Sequence, residues 1–337
     1  MTFRDTEKAR YKSIKNELFS KEACEPGIYR GKKRIFCLAD GYCCENLDAG
    51  IRDEAIAYFR ERRIPWHDGQ LDRQGHGRGL PSNHLCSSQV ACVNTLWPLV
   101  HDAELLKRVF QPFLPDMNAP LPFEADRLSP DSKSSWLAFE WIGTRNYLGE
   151  KSWGTRGANA TSADFAFRFQ RNDGRVQLVL GEWKYTEQYG KKPMTPEAVN
   201  KTRHRTYYDA FQRWRQLVPQ IPDYHVFFAE PFYQLMRQTL LAQEMERSAV
   251  EGSAEMEAEV VSVLHIAPKA NREFSDNLAA APSMASLGAT VCTAWSCLAP
   301  SGRFQSIASE DLYAAIHEAA PENLRQWRDW LHRRYGW

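Results

Sequence analysis

Residues 161–187 read TSADFAFRFQRNDGRVQLVLGEWKYTE, and their pattern predicts two adjacent β-strands joined by a tight turn. In its first half, phenylalanines alternate with smaller or charged side chains from residue 163 to residue 170, which is the two-residue period of a β-strand. The sequence NDG at 172–174 is a strong hairpin turn. The returning run, 176–185, is apolar on both faces for most of its length, so we predict a strand in the centre of a sheet.

The register of this hairpin predicts where its charged side chains lie. A three-residue loop that ends at Gly174 places Asp164 directly opposite Glu182, and directly opposite residues point to the same side of a sheet. Lys184 follows Glu182 by two residues and therefore shares its face. Asp164, Glu182 and Lys184 then converge, whereas a two-residue loop would turn Asp164 to the other face.

Two carboxylates and one ammonium group fit the hydrolysis of a phosphodiester. Carboxylate oxygens are ligands for Mg²⁺, which keeps open positions for water and phosphate. The metal lowers the pKa of its bound water and neutralises developing charge. The lysine can orient the attacking water or stabilise the charge of the transition state. The alternative is a strand end with ion pairs and no catalytic role, and the hairpin context favours catalysis.

These residues resemble the PD-(D/E)XK nuclease signature, with Asp164 on one strand and Glu182-Trp183-Lys184 on the next; Ala163 stands where the signature's name has proline. Four longer segments resemble a bacterial restriction-endonuclease-like group of this superfamily: SNHLCSSQVACVN, AFEW, TSADFAFRF and GEWKYTEQYG. The resemblance implies Mg²⁺, with Mn²⁺ as a substitute, bound by Asp164, Glu182 and the backbone carbonyl of Trp183. It also implies double-stranded DNA as the substrate.

The rest of the chain predicts an α/β protein with a mixed central sheet. We expect helices at 5–19, from Asp48, from Ser82, at 197–217, at 230–248 and in two pieces after Ser309, and further strands within 136–142, 224–229 and 259–267. From residue 84 the order is helix, three strands, helix, strand, which is the restriction-endonuclease-like core that the resemblance implies. We predict three parts: a helical N-terminal extension at 1–83, a nuclease core at 84–267 and a mainly helical C-terminal extension at 268–337.

Two further residues are candidates for the same site. Glu140, inside the predicted strand WLAFEWI, is a further metal ligand or an acid behind the ligands, or else an exposed strand position that faces water. Gln89 follows the predicted helix start at Ser82, and the resemblance places a Glu or Gln of such a helix near the metal; its alternative is a capping or packing role. His67 and His84 could approach a phosphate, but a histidine in a loop is more often simply hydrogen-bonded.

A basic segment is the candidate DNA-binding surface. The total of 43 basic and 42 acidic residues gives a net charge of +1, so any contact with nucleic acid must depend on a local cluster. Residues 191–215 hold seven Lys or Arg against one Glu and one Asp, and we predict that the contacts come from Lys191, Lys192, Lys201, Arg203, Arg205 and Tyr208. The alternative is a solvated basic face.

The composition limits the other functions. No apolar run approaches a membrane span, and a charged stretch follows Met1 where a signal peptide would be apolar. The N-terminal cysteines lack the C-x-x-C spacing of zinc sites, so we expect free thiols in a reducing cytoplasm. We therefore predict an endonuclease in restriction or another anti-invader defence, with a homodimer as one oligomeric option. The alternatives are a nuclease fold that binds nucleic acid without cutting it, and a nuclease for RNA or single strands.

Overall fold

The computed structural model describes residues 1–71, 79–123, 135–151, 153–154, 160–190, 201–218 and 220–337. Its strands are β1 (Gly27–Tyr29), β2 (Lys32–Arg34), β3 (Met117–Leu121), β4 (Leu137–Trp141), β5 (Ala163–Arg171), β6 (Val176–Trp183), β7 (Val260–Ala267) and β8 (Phe304–Ala308). Its α-helices are α1 (Phe3–Leu18), α2 (Arg52–Glu61), α3 (Ser88–Leu96), α4 (Ala103–Phe110), α5 (Lys201–Leu217), α6 (Phe232–Val250), α7 (Arg272–Ser275), α8 (Val291–Ser296), α9 (Ser309–Ala319) and α10 (Arg325–Tyr335).

The central sheet has six strands and is mixed, as the sequence predicts. β5 pairs antiparallel with β6 on one side, and with β3 and β4 in turn along its other side. β6 pairs parallel with β7, and β7 pairs parallel with β8. β6 therefore lies inside the sheet, which explains why it is apolar on both faces. β1 and β2 form a separate two-stranded hairpin.

The predicted hairpin register is confirmed. The N–H of Arg171 donates to the carbonyl oxygen of Arg175 at 2.8 Å across the three-residue loop 172–174. Gly174 has a φ of 86°, which a residue with a side chain rarely adopts. The β5–β6 pairing runs from this loop to Phe165 opposite Gly181, so the next opposed pair is Asp164 and Glu182. The two-residue loop is excluded.

Two apolar layers cover the sheet. The first layer packs Phe165, Phe167 and Phe169 of β5 against side chains of α1–α4, α9 and α10. The second layer packs Leu178 and Leu180 of β6 against side chains of α5, α6 and α8. The two ends of the chain thus share the first layer. The boundaries predicted at residues 83 and 267 stay predictions.

Two helix starts were predicted wrongly. α3 begins at Ser88, and Ser87 is its N-cap, because the Ser87 hydroxyl accepts from the N–H of Val90 at 3.4 Å. Ser82 instead lies outside any helix, and its carbonyl oxygen accepts from the side chain of Asn46 at 2.6 Å. α2 begins at Arg52, since the Asp48 carboxylate is used within its own turn.

The segment YHVFFA was predicted as a strand and is not one. Residues 224–228 form a 3₁₀-helix whose Phe227 and Phe228 are buried in the second layer. These aromatic side chains can be buried from a strand or from a 3₁₀-helix, so their statistical preference for strands does not determine the backbone conformation here. The sequence prediction also missed the two sheet edges, β3 and β8. The predicted start of α5, near residue 197, lies outside the described residues.

The remaining helix predictions are confirmed within a few residues. They are the helices at 5–19 and 230–248 and the two after Ser309, which correspond to α1, α6, α9 and α10. Across the described ranges, every helix is too short or too polar to cross a membrane.

Candidate active site

The candidate site lies where β5 and β6 stop pairing. Beyond Phe165 and Gly181, the carboxylate of Asp164 accepts a hydrogen bond from the backbone N–H of Trp183 at 2.7 Å. The next N–H, of Lys184, turns the other way and donates to Ile266 of β7 at 2.8 Å. Because the polar groups of successive strand residues point to opposite sides, the carbonyl oxygen of Trp183 faces β5 together with its N–H.

Glu182 and Lys184 form a buried ion pair on the face that α6 covers. The Lys184 Nζ donates to Glu182 Oε1 at 2.5 Å. Lys184 is 6% exposed and Glu182 is 1% exposed. Two glutamines of α6 complete the arrangement. Gln234 Oε1 accepts from Lys184 Nζ at 2.6 Å, and Gln238 Nε2 donates to the second oxygen of Glu182.

The sequence analysis missed both glutamines. They are four residues apart and therefore share one face of α6. That spacing was the available signal, but nothing in it names Glu182 or Lys184 as the partner. The oxygen of the Gln238 amide, Oε1, is buried without a hydrogen-bond partner. An unpaired acceptor of this kind is unusual in a protein interior.

Glu140 is buried beside Asp164, so the alternative of a water-facing strand position is wrong. The β4–β5 register aligns Glu140 with Asp164, and its φ of 50° breaks the regular strand there. As a result Phe139 packs in the first layer and Trp141 in the second. A positive φ at a glutamate is uncommon and is held by surrounding contacts.

Gln89 provides one of those contacts. Its Nε2 donates to Glu140 Oε1 at 2.6 Å, while its Oε1 accepts from the backbone N–H of His67 at 2.7 Å. The capping role that was the alternative for Ser87, Ser88 and Gln89 is confirmed for Ser87, which is the N-cap of α3. Gln89 connects α3 to Glu140 and fixes the direction of that carboxylate.

Three carboxylates on adjacent strands lie close enough to affect one another. Burial raises the pKa of Asp164 well above its usual range, and the neighbouring charges of Glu182 and Glu140 raise it further. Burial disfavours the charge of Lys184, but the charges around it, with Glu182 foremost, together outweigh burial and raise the pKa of Lys184 well above the ordinary lysine value. The lysine therefore stays cationic, and the site still carries an excess of negative charge.

The donor set fits a hard divalent cation by its chemistry. Asp164, Glu182 and the Trp183 carbonyl offer oxygen ligands only, which Mg²⁺ prefers. Within the described residues, however, no three His, Cys, Asp or Glu side chains are grouped to hold a metal ion. Asp164 is bonded to the Trp183 N–H, and Glu182 to Lys184 and Gln238. Metal binding would require the two carboxylates to exchange some of these partners.

The predicted basic surface lies one helix away from these carboxylates. On α5, Lys201, Arg205 and Tyr208 are exposed, while Tyr207, Phe211 and Trp214 form the buried stripe. Arg203 is also exposed, and its guanidinium lies over the Tyr233 ring of α6 at 4.8 Å from the ring centroid. Lys191 and Lys192 lie outside the described residues.

The cysteines form no disulfide, and all eight are free.

A comparison with known families matches almost the whole chain: the model of the family described as "Restriction Endonuclease associating with ARP" matches residues 6–336. No curated protein and no solved structure matches this chain.

Proposed function

The chain belongs to this restriction-endonuclease family, whose role is that of a nuclease with a nucleic-acid partner, and we propose that it is a Mg²⁺-dependent enzyme that hydrolyses phosphodiester bonds of double-stranded DNA. One observation carries the proposal. Asp164 and Glu182 are opposed at the ends of two paired strands, and Lys184 is held against Glu182. The arrangement has the chemistry of the PD-(D/E)XK nucleases, and we propose the same core fold for residues 84–267.

The proposed ligands are Asp164, Glu182 and the backbone carbonyl of Trp183, for Mg²⁺ or for Mn²⁺ as its substitute. When bound, the ion would act as a Lewis acid on the phosphate and lower the pKa of its water. Glu140 is the candidate for a further ligand, because Gln89 already holds its carboxylate beside Asp164.

Lys184 has a separate part in the reaction. Its ammonium group is a hydrogen-bond donor with a fixed position, because Glu182 and Gln234 hold Nζ from two sides. A cation placed in this way can orient the attacking water and stabilise the negative charge that develops on the phosphate oxygens. Gln238 fixes the second oxygen of Glu182, so the carboxylate and the ammonium keep a common orientation.

The exposed residues of α5 would bind the DNA backbone. Lys201, Arg203 and Arg205 would neutralise phosphates, Tyr208 would donate a hydrogen bond, and Lys191 and Lys192 extend the same basic segment. We place the activity in restriction or another anti-invader defence in the cytoplasm. The family's description names an association with ARP, so ARP is a partner in this proposal.

Incubation of the purified chain with supercoiled plasmid, linear duplex DNA and RNA tests this proposal, with each substrate in Mg²⁺, in Mn²⁺ and in EDTA. We expect cuts in both DNA substrates with either metal and none in EDTA. Cutting of RNA alone would move the proposal to an RNA nuclease. Binding of DNA without cutting under every condition would instead support a nuclease fold that has become a binding protein.

A further inference from the structure

A polar cavity lies between α1, the β1–β2 hairpin and the start of α3, and it has a volume of about 430 Å³. Four cationic side chains line it: Arg4, Lys8, Arg30 and Arg34. Its acidic lining consists of Asp68 and Glu187. The cavity therefore has an excess of positive charge, in contrast to the neighbouring carboxylate site.

The two acidic residues are engaged with other groups. Asp68 accepts from the Tyr29 hydroxyl at 2.6 Å and from Arg30 at 3.1 Å. Glu187 accepts from the backbone N–H of Tyr185 at 2.6 Å. Of the four cations, only Arg30 is thus paired with a carboxylate of the lining.

The other cations have contacts that leave their charge uncompensated. Arg4 donates through Nε to the carbonyl oxygen of Thr186 at 2.8 Å. Lys8 lies over the ring of Phe36, with Nζ at 4.9 Å from its centroid. Arg34 has a buried Nε without a hydrogen-bond partner. Across the part of the chain that the structure describes, none of these three pairs with an acidic side chain, so an anion would supply what they lack.

The start of α3 adds neutral donors to the same cavity. Ser87 and Ser88 line it at the N-terminus of a nine-residue helix, where backbone N–H groups lack intrahelical partners and attract anions. His84 also lines it, and its Nδ1 accepts from the N–H of Cys86 at 3.0 Å. Burial and the charge of Lys8 lower the pKa of His84 to about 3, so the ring is neutral and carries its proton on Nε2 as a donor.

The remaining wall is aromatic, and the cavity is the size of a small-molecule site. The rings of Tyr29 and Phe36 lie 4.5 Å and 5.2 Å from that of His84. Binding sites for small ligands enclose roughly 300–1,000 Å³ and combine such apolar walls with a few polar groups. A phosphate with an attached sugar and base meets both requirements, whereas a bare inorganic anion would use only the polar side.

The cavity adjoins the candidate active site through two short links. Thr186, at one wall, follows the catalytic candidate Lys184 by two residues. Ser88, at another wall, precedes Gln89, which bonds to Glu140. The cavity and the candidate active site are therefore built in part from the same two segments of the chain.

We propose that this cavity binds the phosphate of a nucleotide, with Lys8, Arg34 and the N-terminus of α3 as its anion-binding groups. The nucleotide is either part of a strand that reaches the carboxylate site or a free mononucleotide. The preference for phosphate rests on the cavity's own residues, whereas the identification of the ligand as a nucleotide rests on the proposed nuclease function.

Isothermal titration calorimetry of the full chain in EDTA tests the proposal without any cleavage. The two probes are adenosine 5′-monophosphate and a short single-stranded DNA oligonucleotide. The test variant is Lys8→Gln/Arg34→Gln. The matched control is Lys12→Gln/Lys33→Gln, which removes two exposed charges from the same α1 and β2 but outside the cavity lining.

A further variant distinguishes a loss of phosphate binding from a loss of folding. Ser88→Asp places a carboxylate at the first residue of α3, where it favours the helix dipole and at the same time repels a bound phosphate. We expect both cavity variants to bind at least one probe tenfold or more weakly than the wild type, and the control to stay within twofold. Binding of the mononucleotide identifies a free ligand, and binding of the oligonucleotide alone identifies a strand.

The proposal is overturned if the wild type binds neither probe, if the control loses as much affinity as Lys8→Gln/Arg34→Gln, or if both cavity variants bind like the wild type. A chain that binds the probes through this cavity but never cuts nucleic acid would refute the nuclease proposal and leave the phosphate site standing.

Discussion

The Asp164 carboxylate bonds to the backbone N–H of Trp183 at the point where the β5–β6 pairing ends. A side chain of one strand thus takes the place of a main-chain partner, and it keeps the Trp183 carbonyl beside it. The three oxygen groups proposed as metal ligands are therefore held together by ordinary sheet geometry. Metal binding at this proposed site would change the hydrogen bonding of the two carboxylates.

Replacement of Lys184 by methionine should destabilise the protein by about 3 kcal/mol, because Glu182 would remain buried without its cation. The double variant Glu182→Gln/Lys184→Met should recover most of this loss, since it removes both charges. Urea unfolding in EDTA measures the free energy of unfolding of each. Equal stability of Lys184→Met and the wild type would show that the pair is not buried in solution.

The same Lys184→Met variant separates catalysis from metal binding. An ammonium group is no metal ligand, so Mn²⁺ affinity measured by calorimetry should change little. Cleavage should fall by a factor that corresponds to about 3 kcal/mol of transition-state stabilisation or more. Wild-type cutting rates at saturating metal in single-turnover experiments would refute the role assigned to this lysine.

Gln238→Leu should weaken the response to metal by about 10- to 100-fold, because Glu182 would lose the donor that fixes its second oxygen. The measurement is the Mg²⁺ concentration that gives half-maximal cleavage. Gln243→Leu is the control on the same helix, since the amide nitrogen of Gln243 is buried without a partner. A Mg²⁺ requirement that is identical in Gln238→Leu and the wild type would exclude Gln238 as a positioning residue.

Lys201→Gln/Arg205→Gln should weaken DNA binding regardless of sequence and flatten its salt dependence. Each lost phosphate contact lowers the slope of log K against log salt by about 0.9. The control Arg325→Gln/Arg333→Gln removes two charges that are also exposed but lie on another helix, α10. Fluorescence anisotropy over a salt series checks this, and unchanged slopes in the α5 variant would exclude α5 as the contact.

His84 should make the protein sensitive to acid. The charged groups around it are Lys8, Arg4, Arg30 and Asp68, and burial with this mainly cationic surrounding lowers its pKa to about 3. As the pH falls, His84 is therefore protonated in the unfolded chain before it is protonated in the folded one, which favours unfolding. The contribution of neutral His84 to the free energy of unfolding is complete above about pH 6.5 and is lost as the pH falls toward 3.

The variant His84→Asn keeps an acceptor for the Cys86 N–H and removes the titration. Between pH 6 and 4 its free energy of unfolding should fall more slowly than that of the wild type, by about 1.4 kcal/mol per pH unit. Denaturant unfolding at several pH values gives the comparison, and the exposed His101→Asn is the control. Parallel curves for His84→Asn and the wild type would contradict the buried neutral histidine.

The hairpin could be predicted from the sequence because its information is local. Alternation fixes which side chains of β5 share a face, and the loop length fixes the register, so the opposition of Asp164 and Glu182 follows from a few dozen residues. The start of α3 could not be predicted in this way. Ser82 and Ser87 are equally good caps, and contacts with distant Asn46 and Leu38 hold residues 82 and 83 outside the helix.

The partners of the site lie further away in sequence. Gln238 contacts Glu182 across 56 residues, and Gln89 contacts Glu140 across 51. A helical pattern shows which residues of α6 share a face, but it does not show which strand that face covers. The break in β4 at Glu140 is equally invisible, because its positive φ depends on packing on both layers of the sheet.

The most direct test of the proposed nuclease site is plasmid cleavage by Asp164→Asn and by its control Asp173→Asn in saturating Mg²⁺. Both changes remove one carboxylate from the same hairpin, but Asp173 lies in the exposed turn, bonded to Arg175. Because an amide is a poor Mg²⁺ ligand, Asp164→Asn should lose cleavage while folding normally, and Asp173→Asn should cut like the wild type. Wild-type cleavage by a folded Asp164→Asn protein would contradict the assignment of this site.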